Sequence, residues 1–387
     1  RGPRRPRRRM RRGFPRAGVA VFAAFSLMQS SSGFKPMRDC VDGVVSAVRS
    51  ARVVSRCVEG GRHIGTHSGT FHCDEALAVG MLLTLPQYRD CAVLRSRDPS
   101  ELAKCEAVVD VGATYDPSRM LLDHHQRGFE HVLAPFHTKL SSAGLVYKHL
   151  GREVLAAALD GVPNVEALAT EERLGQLYLK MYAGFIEEVD ARDNGIEVAD
   201  GDLRYRITTA LAARVADLNP QWNEESDDDD RNARFRAAMD LTTSEFVRRV
   251  QRYASSSWPA RAIVEEAYSR RHEVHPSGRV LELPRFCPWQ EHLFELEQER
   301  GEPSESRTLY CLFQDSAGGH RIQAVPAEPG SFDSRKKLPA SWRGLRDEAL
   351  SAHVGVEGCV FVHAAGFIGG ATTRDAVLRL ADMAVAH

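Results

Sequence analysis

The feature that most constrains the fold is an alternation of short apolar runs with longer helical patterns between His63 and Gly195. The predicted strands are Arg62–Thr66, Cys91–Arg95, Ala107–Val111 and Met120–Leu122, and the predicted helices are Asp74–Leu85, Ser141–Leu150 and Glu172–Val189. Strands that alternate with helices favour a largely parallel sheet covered by helices. The sequence therefore predicts an α/β domain over residues 56–204.

A second, smaller α/β domain is predicted at residues 276–387. Its expected strands are Val280–Leu283, Leu309–Phe313, Arg321–Val325 and Cys359–His363, and its expected helices are Leu345–Ser351 and Ala371–Ala384. Residues 205–275 have a mostly helical pattern and predict a helical linker between the two domains. Within the linker, we expect the acidic run Glu224–Asp230 to form a solvated loop, because consecutive carboxylates repel one another.

The N-terminal segment has the composition of a targeting sequence. Residues 1–38 contain ten Arg and one Lys but no Asp or Glu, and Ser26–Ser32 is rich in serine. Organellar transit peptides share this composition. We therefore place residues 1–55 outside the fold and expect a disordered segment that directs import into mitochondria. Import into plastids, a nuclear signal at Arg4–Arg12 and a nucleic-acid-binding arm are the alternatives.

The rest of the chain is acidic. Without the eleven basic residues of that segment, 40 of the 51 Lys and Arg remain, against 52 Asp and Glu. This balance argues against broad nucleic-acid binding, which depends on basic side chains, although a local basic groove is compatible with it. The eight cysteines form no C-x-x-C pair, which indicates reduced thiols in an intracellular compartment. No apolar run reaches the length of a spanning helix, so we expect no membrane association.

Histidine and aspartate residues cluster where the predicted strands of the first domain end. The cluster contains His67, His72, Asp74, Asp110 and the run Asp123-His124-His125. Ligand sites in parallel α/β sheets lie beyond the carboxyl ends of the strands. Carboxylates mixed with imidazoles suit Mn²⁺ or Mg²⁺, and a shared carboxylate suits a metal pair. Paired metals at strand ends are typical of enzymes that hydrolyse phosphate esters or anhydrides.

A further carboxylate is expected from the end of the helix that precedes Gly195. Asp190 is the preferred candidate for the second metal, and Asp193 is the next. The structural alternative is a helix terminus capped by Asn194-Gly195. Asp74 could likewise be only a helix N-cap, and Asp110 only a cap in a turn.

Several motifs resemble those of the DHH phosphoesterase superfamily and, within it, the melanocyte-proliferating-gene exonuclease family. The resemblance runs from about Arg62 to the end of the chain. It is carried in order by Gly65–Glu75, Asp110, Asp123–His125, Leu140–Leu145, Glu187–Ala191, Trp342–Glu348 and Phe361–Gly370. One departure is His72-Cys73-Asp74, where many members of the superfamily have D-x-D. A histidine at this position lowers the negative charge of the site and matches the narrower family.

The resemblance implies a 3′–5′ exonuclease that acts on single-stranded RNA with two divalent ions, Mn²⁺ or Mg²⁺. It implies that His67 and His72 serve one metal, that Asp74 serves the other and that Asp110 bridges them. His124 and Asp190 would complete the second metal. His125 would contact the scissile phosphate, and Asp123 would orient a neighbouring histidine.

The resemblance also implies a substrate-binding motif in the C-terminal domain, with His363, Gly366, Gly369 and Gly370 as its residues. Glycines there would let the backbone approach a phosphate or sugar, while the structural alternative is a tight turn after a strand. Candidate phosphate contacts are Arg321, Arg343 and Arg346. Bases of a bound strand could stack on tryptophans; the chain offers Trp222, Trp258, Trp289 and Trp342.

Two other functions remain open at this point. One is a two-metal phosphohydrolase that acts on a small molecule such as pyrophosphate or a short dinucleotide, which the acidic body favours. The other is a non-catalytic scaffold, which the intact ligand set opposes because a scaffold has no need of clustered carboxylates. The sequence leaves open which RNA is cut, which metal is used and whether the chain forms oligomers.

Overall fold

A computed structural model describes residues 37–387. Residues 1–36 of the predicted targeting segment 1–55 lie outside the described residues. The helices are α1 Met37–Ser50, α2 Cys73–Thr84, α3 Pro99–Leu102, α4 Ser142–Ala158, α5 Val165–Leu168, α6 Glu171–Met181, α7 Glu187–Asp193, α8 Leu211–Ala216, α9 Asp228–Arg252, α10 Trp258–Ser269, α11 Arg271–Val274, α12 Gln290–Glu299, α13 Asp347–Val354 and α14 Arg374–Ala386. The strands are β1 Val53–Val54, β2 His63–Thr66, β3 Ala92–Arg95, β4 Ala107–Val109, β5 Tyr115–Asp116, β6 Leu121–Leu122, β7 Val280–Glu282, β8 Tyr310–Gln314, β9 His320–Ala324, β10 Cys359–Val362 and β11 Ile368–Ala371.

The strands form two sheets, which confirms the predicted mixed α/β class. The first sheet has the order β1-β3-β2-β4-β6-β5 and is parallel except for β5, which runs antiparallel to β6 at the edge. The second sheet has the order β10-β11-β9-β8-β7, and only β7 and β8 pair in parallel. Each sheet contributes to its own buried apolar cluster.

Helix α2 lies at the centre of the first core. All of its residues from Cys73 to Thr84 are buried, and it contacts α4 and α9. The approach to α9 depends on Gly80, because a Cβ atom at this position would lie 1.8 Å from Thr243 Oγ1. This close packing fixes the N-terminus of α2, which carries Asp74 and Glu75 in its first turn.

The prediction that residues up to 55 lie outside the fold is wrong for residues 37–55. Helix α1 buries Val41, Val45 and Val48 on one face against α9, and β1 extends the first sheet beside β3. The i, i+4, i+7 spacing of these valines is that of an amphipathic helix. The basic composition therefore ends near residue 38, and the segment that follows it belongs to the fold.

The acidic run also differs from its prediction as a loop. Asp227 caps α9 by accepting a hydrogen bond from the Asp230 backbone N–H, and residues 228–230 form the first turn of the helix. Carboxylates are favourable at this position because the helix dipole is positive at its N-terminus. The run is therefore partly a helix start, and its first residues alone remain a loop.

Candidate metal centre

A cleft of about 740 Å³ opens at the carboxyl edge of the first sheet. His67 follows β2, Asp110 follows β4 and Asp123 follows β6, and these three parallel strands are neighbours. Helices α2 and α7 contribute Asp74 and Asp193 to the same cleft. The sheet register therefore brings together residues that are more than a hundred positions apart in sequence.

Asp110 lies at the centre of the cluster. Its Oδ2 is 3.4 Å from His67 Nε2, its Oδ1 is 3.3 Å from His124 Nε2, and Oδ1 accepts a hydrogen bond from Ser142 Oγ at 3.1 Å. Burial would raise the pKa of Asp110, but its hydrogen bonds with His124 and His67 lower it overall. The residue has a φ of 59°, in the left-handed region that aspartate tolerates better than most residues. Asp110 thus lies between the imidazoles of His67 and His124.

His67 is held between two carboxylates. Its Nε2 lies 3.0 Å from Glu75 Oε1 as well as near Asp110, and its Nδ1 lies 3.2 Å from the Ser68 carbonyl. A hydrogen bond to that carbonyl would place the proton on Nδ1 and turn Nε2 towards the cluster. Burial lowers the pKa of His67, but the hydrogen bonds with Asp110 and Glu75 outweigh this effect and raise it to about 10.

Sequence reasoning did not assign a role to Glu75, which is fully buried in the cluster. Both of its carboxylate oxygens accept from the His72 backbone N–H, at 2.8 and 2.9 Å. Donor atoms of His67, His72, Glu75 and Asp110 all lie within 4.8 Å of one another. The available signal was the position of Glu75, which directly follows Asp74 and stands three residues after the N-cap His72.

A second group of donors is formed by His72, Asp74 and Asp193. Asp74 is buried, and neither of its carboxylate oxygens accepts a hydrogen bond from any described residue. Burial, followed by the charges of Asp110, Asp193 and Glu75, raises the pKa of Asp74 well above its usual range. A buried carboxylate without a donor is costly unless a cation compensates it. The residues present therefore fit divalent metal ions.

The two candidates in α7 separate clearly. Asp193 Oδ2 lies 3.0 Å from His124 Nε2, within the cluster. The preferred candidate, Asp190, faces the interior instead: its Oδ1 accepts from Ser141 N and Oγ, and its Oδ2 accepts from Tyr182 Oη at 2.9 Å. Burial raises the pKa of Asp190 to about 7 despite these hydrogen bonds. Contrary to the preference for Asp190, the structure thus places Asp193 in the candidate cluster and Asp190 outside it.

The side chains of Asp123, His124 and His125 divide into a buried pair and an exposed histidine. His125 has a side chain that is 59% exposed, and its Nδ1 lies 2.8 Å from Asp123 Oδ1. Asp123 also accepts from the backbone N–H groups of Ala113 and His125, so its orientation is fixed. Hydrogen bonds with Asp110 and Asp193 raise the pKa of His124 to about 9, although burial opposes them. Asp123 therefore orients His125 towards the open cleft, while His124 belongs to the donor cluster.

The predicted substrate-binding residues of the C-terminal domain do not line this cleft. His363 and Phe367 lie with their ring centroids 4.7 Å apart at the end of the second sheet. Arg321 forms an ion pair with Asp315, and Arg343 Nε donates to the Leu338 carbonyl. Added Cβ atoms at Gly366 and Gly370 would lie 2.6 Å from Arg343 and 2.3 Å from Arg321, while one at Gly369 would lie 3.0 Å from the Phe361 carbonyl. These glycines therefore allow close packing within the domain itself.

The tryptophans suggested for base stacking are mostly in the core. Trp258, Trp289 and Trp342 are buried, whereas Trp222 is 95% exposed. Three of the four are therefore unable to stack on a ligand without rearrangement. Within the part of the chain that the structure describes, no helix has the length and apolar character needed to cross a bilayer.

The comparisons with known proteins agree on one protein family. The model of an uncharacterised protein family, UPF0160, which carries the label MYG1 exonuclease, matches residues 63–385. The chain is 51% identical to the MYG1 exonuclease of Homo sapiens over 332 residues, which cover 84% of this chain and 86% of the human protein. It is 49% identical to the MYG1 exonuclease of Bos taurus, with 84% of each chain covered, and 42% identical to the MYG1 protein YER156C of Saccharomyces cerevisiae, with 84% and 96% covered.

No solved structure gives a significant match. The matched region includes every strand of the two sheets except β1 and every residue of the donor cluster. The human and bovine relatives carry the name exonuclease, which is consistent with a hydrolase whose substrate is a nucleic acid. On the extent of these matches, the chain belongs to the MYG1 exonuclease family.

Proposed function

We propose that this chain is a two-metal phosphodiesterase of the DHH type that removes nucleotides from the 3′ end of single-stranded RNA. The observation that carries the proposal is the sharing of donors within one cluster. Asp110 belongs to the groups around His67 and His124, and His72 belongs to the groups around Glu75 and Asp74. Overlapping groups suit two adjacent divalent ions better than one ion.

Four of the cluster's side chains are carboxylates, Asp74, Glu75, Asp110 and Asp193, and burial together with the charges of the other three raises the pKa of Asp74. Mn²⁺ and Mg²⁺ accept carboxylate and imidazole ligands, and a bound pair lowers the pKa of water and stabilises the attacking and leaving oxygens of a phosphate ester. His67, His72, Glu75 and Asp110 would hold one ion. Asp74, Asp193 and His124 would hold the other, together with the shared Asp110.

His125 is the residue best placed to contact the scissile phosphate. Its Nδ1 is bound by Asp123, so its Nε2 is left for the cleft, and most of its side chain is exposed. A histidine held in this way can donate a hydrogen bond to a phosphoryl oxygen or protonate the leaving oxygen. The hydrogen bond between Asp123 and Nδ1 keeps the ring oriented.

A small-molecule phosphohydrolase is the second candidate. It is supported by the lining of the cleft, where Phe71 is the one aromatic side chain apart from the histidines among the described lining residues, and Phe71 is buried. A polymer substrate requires further contacts outside this lining. The C-terminal residues His363, Gly366 and Arg343 remain candidates for such contacts.

The deciding experiment follows 5′-labelled single-stranded RNA on a sequencing gel with Mn²⁺, beside a phosphate-release assay on pyrophosphate. Asp110→Asn is the inactive variant, because asparagine also tolerates a positive φ, and Asp160→Asn, at an exposed position away from the cleft, is the matched control. We expect a ladder that shortens from the 3′ end, that chelation abolishes and that Asp110→Asn abolishes. Intact RNA with variant-sensitive phosphate release would establish the small-molecule enzyme instead.

We also propose that residues 1–36 direct import into mitochondria, on the composition described above. Fusion of this segment to a fluorescent protein tests the proposal in cells. Mitochondrial fluorescence supports it, whereas nuclear or plastid accumulation would select one of the alternatives.

A further inference from the structure

The segment of residues 194–210, which we name the α7–α8 loop, is an irregular stretch of 17 residues. It begins and ends at the metal cleft, because Arg192 and Asp193 precede it and Ala212 and Ala213 follow it in the cleft lining. Irregular segments longer than about 12–15 residues are uncommon in compact proteins and are often binding loops. The position of the loop links any contact it makes to the cleft.

The second half of this loop exposes a chemically specific group of side chains. Tyr205 is 76% exposed, and it stands between Arg204 and Arg206, which are exposed as well. No described residue forms a hydrogen bond, ion pair or ring contact with any of these three side chains. Exposed Leu203 and Ile207 flank them, so residues 203–207 leave both apolar and cationic groups without a partner.

Arginines of the cleft itself are also without carboxylate partners. The side chain of Arg192 forms no hydrogen bond or ion pair with any described residue, and the side chain of Arg97 donates only to the Ser68 carbonyl, at 3.3 Å. Elsewhere in this acidic chain, arginines such as Arg234 and Arg261 each bind two carboxylates. Unpaired arginines beside a phosphodiester site are available for the phosphates of the substrate.

Charged side chains continue next to the metal cleft. A narrower cleft of about 180 Å³ shares Val189, Arg192 and Ala212 with it and is also lined by Arg214, Arg249, Glu188 and Glu245, of which Arg214 and Glu245 form an ion pair. Ala210 and Leu211, where the α7–α8 loop meets α8, line this narrower cleft too. A strand that left the metal cleft on this side would therefore meet Arg192 and Arg249, which have no carboxylate partner among the described residues, before it reached the loop.

We propose that residues 203–207 form a clamp for single-stranded nucleic acid, in which Tyr205 stacks on a base and Arg204 and Arg206 contact phosphates. The inference rests on the proposed phosphodiesterase function and extends it to the nucleotides beyond the scissile bond. An aromatic side chain flanked by cations is the combination that binds single strands without sequence preference. The loop's three carboxylates, Glu197, Asp200 and Asp202, all precede this segment.

The occupant is assigned to nucleic acid because the segment is continuous with a cleft built for phosphate chemistry. A second copy of the chain is the competing occupant of the exposed apolar side chains. Contacts between copies would change the oligomeric state with concentration, whereas binding of a strand would not require them. The two possibilities therefore differ in a direct measurement.

The test measures binding of a fluorescent single-stranded RNA by anisotropy in the Asp110→Asn background, with Mn²⁺ present. Tyr205→Ala is compared with Phe332→Ala, which removes an aromatic side chain that is fully exposed elsewhere. Arg204→Gln/Arg206→Gln is compared with Arg236→Gln, an exposed arginine of α9 without a partner among the described residues. We expect Tyr205→Ala to weaken binding about tenfold, the loss typical of one base stack. The double arginine variant should flatten the salt dependence by about 0.7 in log–log slope for each lost phosphate contact.

Hydrolysis by the same variants in the otherwise wild-type chain separates the two proposals. Larger KM values for RNA in Tyr205→Ala, with a smaller change for bis(para-nitrophenyl) phosphate, would support the clamp. Cleavage and binding of RNA that are the same in Tyr205→Ala as in Phe332→Ala would overturn the clamp and leave the phosphodiesterase intact. Binding that depends on Tyr205 without any RNA cleavage would support the clamp and overturn the proposed activity. A change in oligomeric state with unchanged RNA binding would assign the segment to a contact between copies and overturn the clamp.

Discussion

The role of Glu75 makes the sharpest prediction, because its carboxylate contacts two candidate ligands at once. Its Oε1 lies 3.0 Å from His67 Nε2, and both oxygens accept from the His72 N–H. Glu75→Gln keeps the side-chain size and an acceptor for that N–H but removes the charge. Loss of a residue that orients or supplements metal ligands costs about 10- to 100-fold in metal affinity. This range corresponds to about 1.4–2.7 kcal/mol of binding free energy.

Isothermal titration of metal-free protein with Mn²⁺ measures the affinity, and thermal unfolding with and without Mn²⁺ measures its effect on stability. The variant should lose the same 1.4–2.7 kcal/mol of metal-induced stabilisation, roughly, at a fixed excess of metal. Glu153→Gln, at an exposed position of α4, controls for the loss of one negative charge. An Mn²⁺ affinity of Glu75→Gln equal to that of Glu153→Gln would refute the inclusion of Glu75 in the metal centre.

Three further outcomes are expected. Asp193→Asn should lose Mn²⁺ affinity in a titration with little change in the free energy of unfolding. Asp190→Asn should keep the Mn²⁺ affinity but lose about 1–3 kcal/mol of stability in denaturant unfolding, because its amide group would face the hydrogen-bond donors of Ser141 and Tyr182. The opposite pattern would identify Asp190 as the ligand. The pKa of His67 is raised to about 10 and that of His124 to about 9, so their contribution to the stability of the metal-free protein is complete below about pH 6.5 and is lost as the pH rises through 9–10. The apparent Mn²⁺ affinity should increase over the same pH range, because protons cease to compete with the metal. An Mn²⁺ affinity that stays constant from pH 6 to 9 would contradict this prediction. Gly80→Ala should destabilise the protein by about 1–3 kcal/mol through the clash with Thr243. Adding Thr243→Ala to this variant should recover part of the lost stability in thermal unfolding. Equal stability of Gly80→Ala with and without Thr243→Ala would contradict the close packing of α2 on α9.

The sheet edge was predictable from sequence because each local pattern agreed with the global fold. Apolar runs ending at His67, Asp110 and Asp123 predicted parallel strands, and parallel strands place their carboxyl ends together. The structure confirms this α/β arrangement. Strands β1 and β5 are two residues long, so no periodicity could identify them, and they exist only through pairing with β3 and β6.

The choice between Asp190 and Asp193 could not be made from sequence. The two residues are three positions apart on α7, and residues at this spacing lie on nearly the same face of a helix. What separates them is tertiary: Ser141, at the start of α4, and Tyr182, in the preceding π-helical turn, take up the Asp190 carboxylate. Glu75 was missed for a related reason, since only the tertiary structure brings its carboxylate to 3.0 Å from His67 Nε2.

The charge of the cleft explains how an acidic chain could bind a polyanion. Without metal, Glu75, Asp110 and Asp193 oppose the approach of a phosphate, and the two protonated histidines, His67 and His124, compensate them only in part. Divalent ions would offset the remaining negative charge, so the affinity for the scissile phosphate should depend on metal. The arginines of the α7–α8 loop carry their charge whether metal is present or not. A nuclease built in this way would hold a strand by the loop without metal and would draw its end into the cleft only after metal has bound.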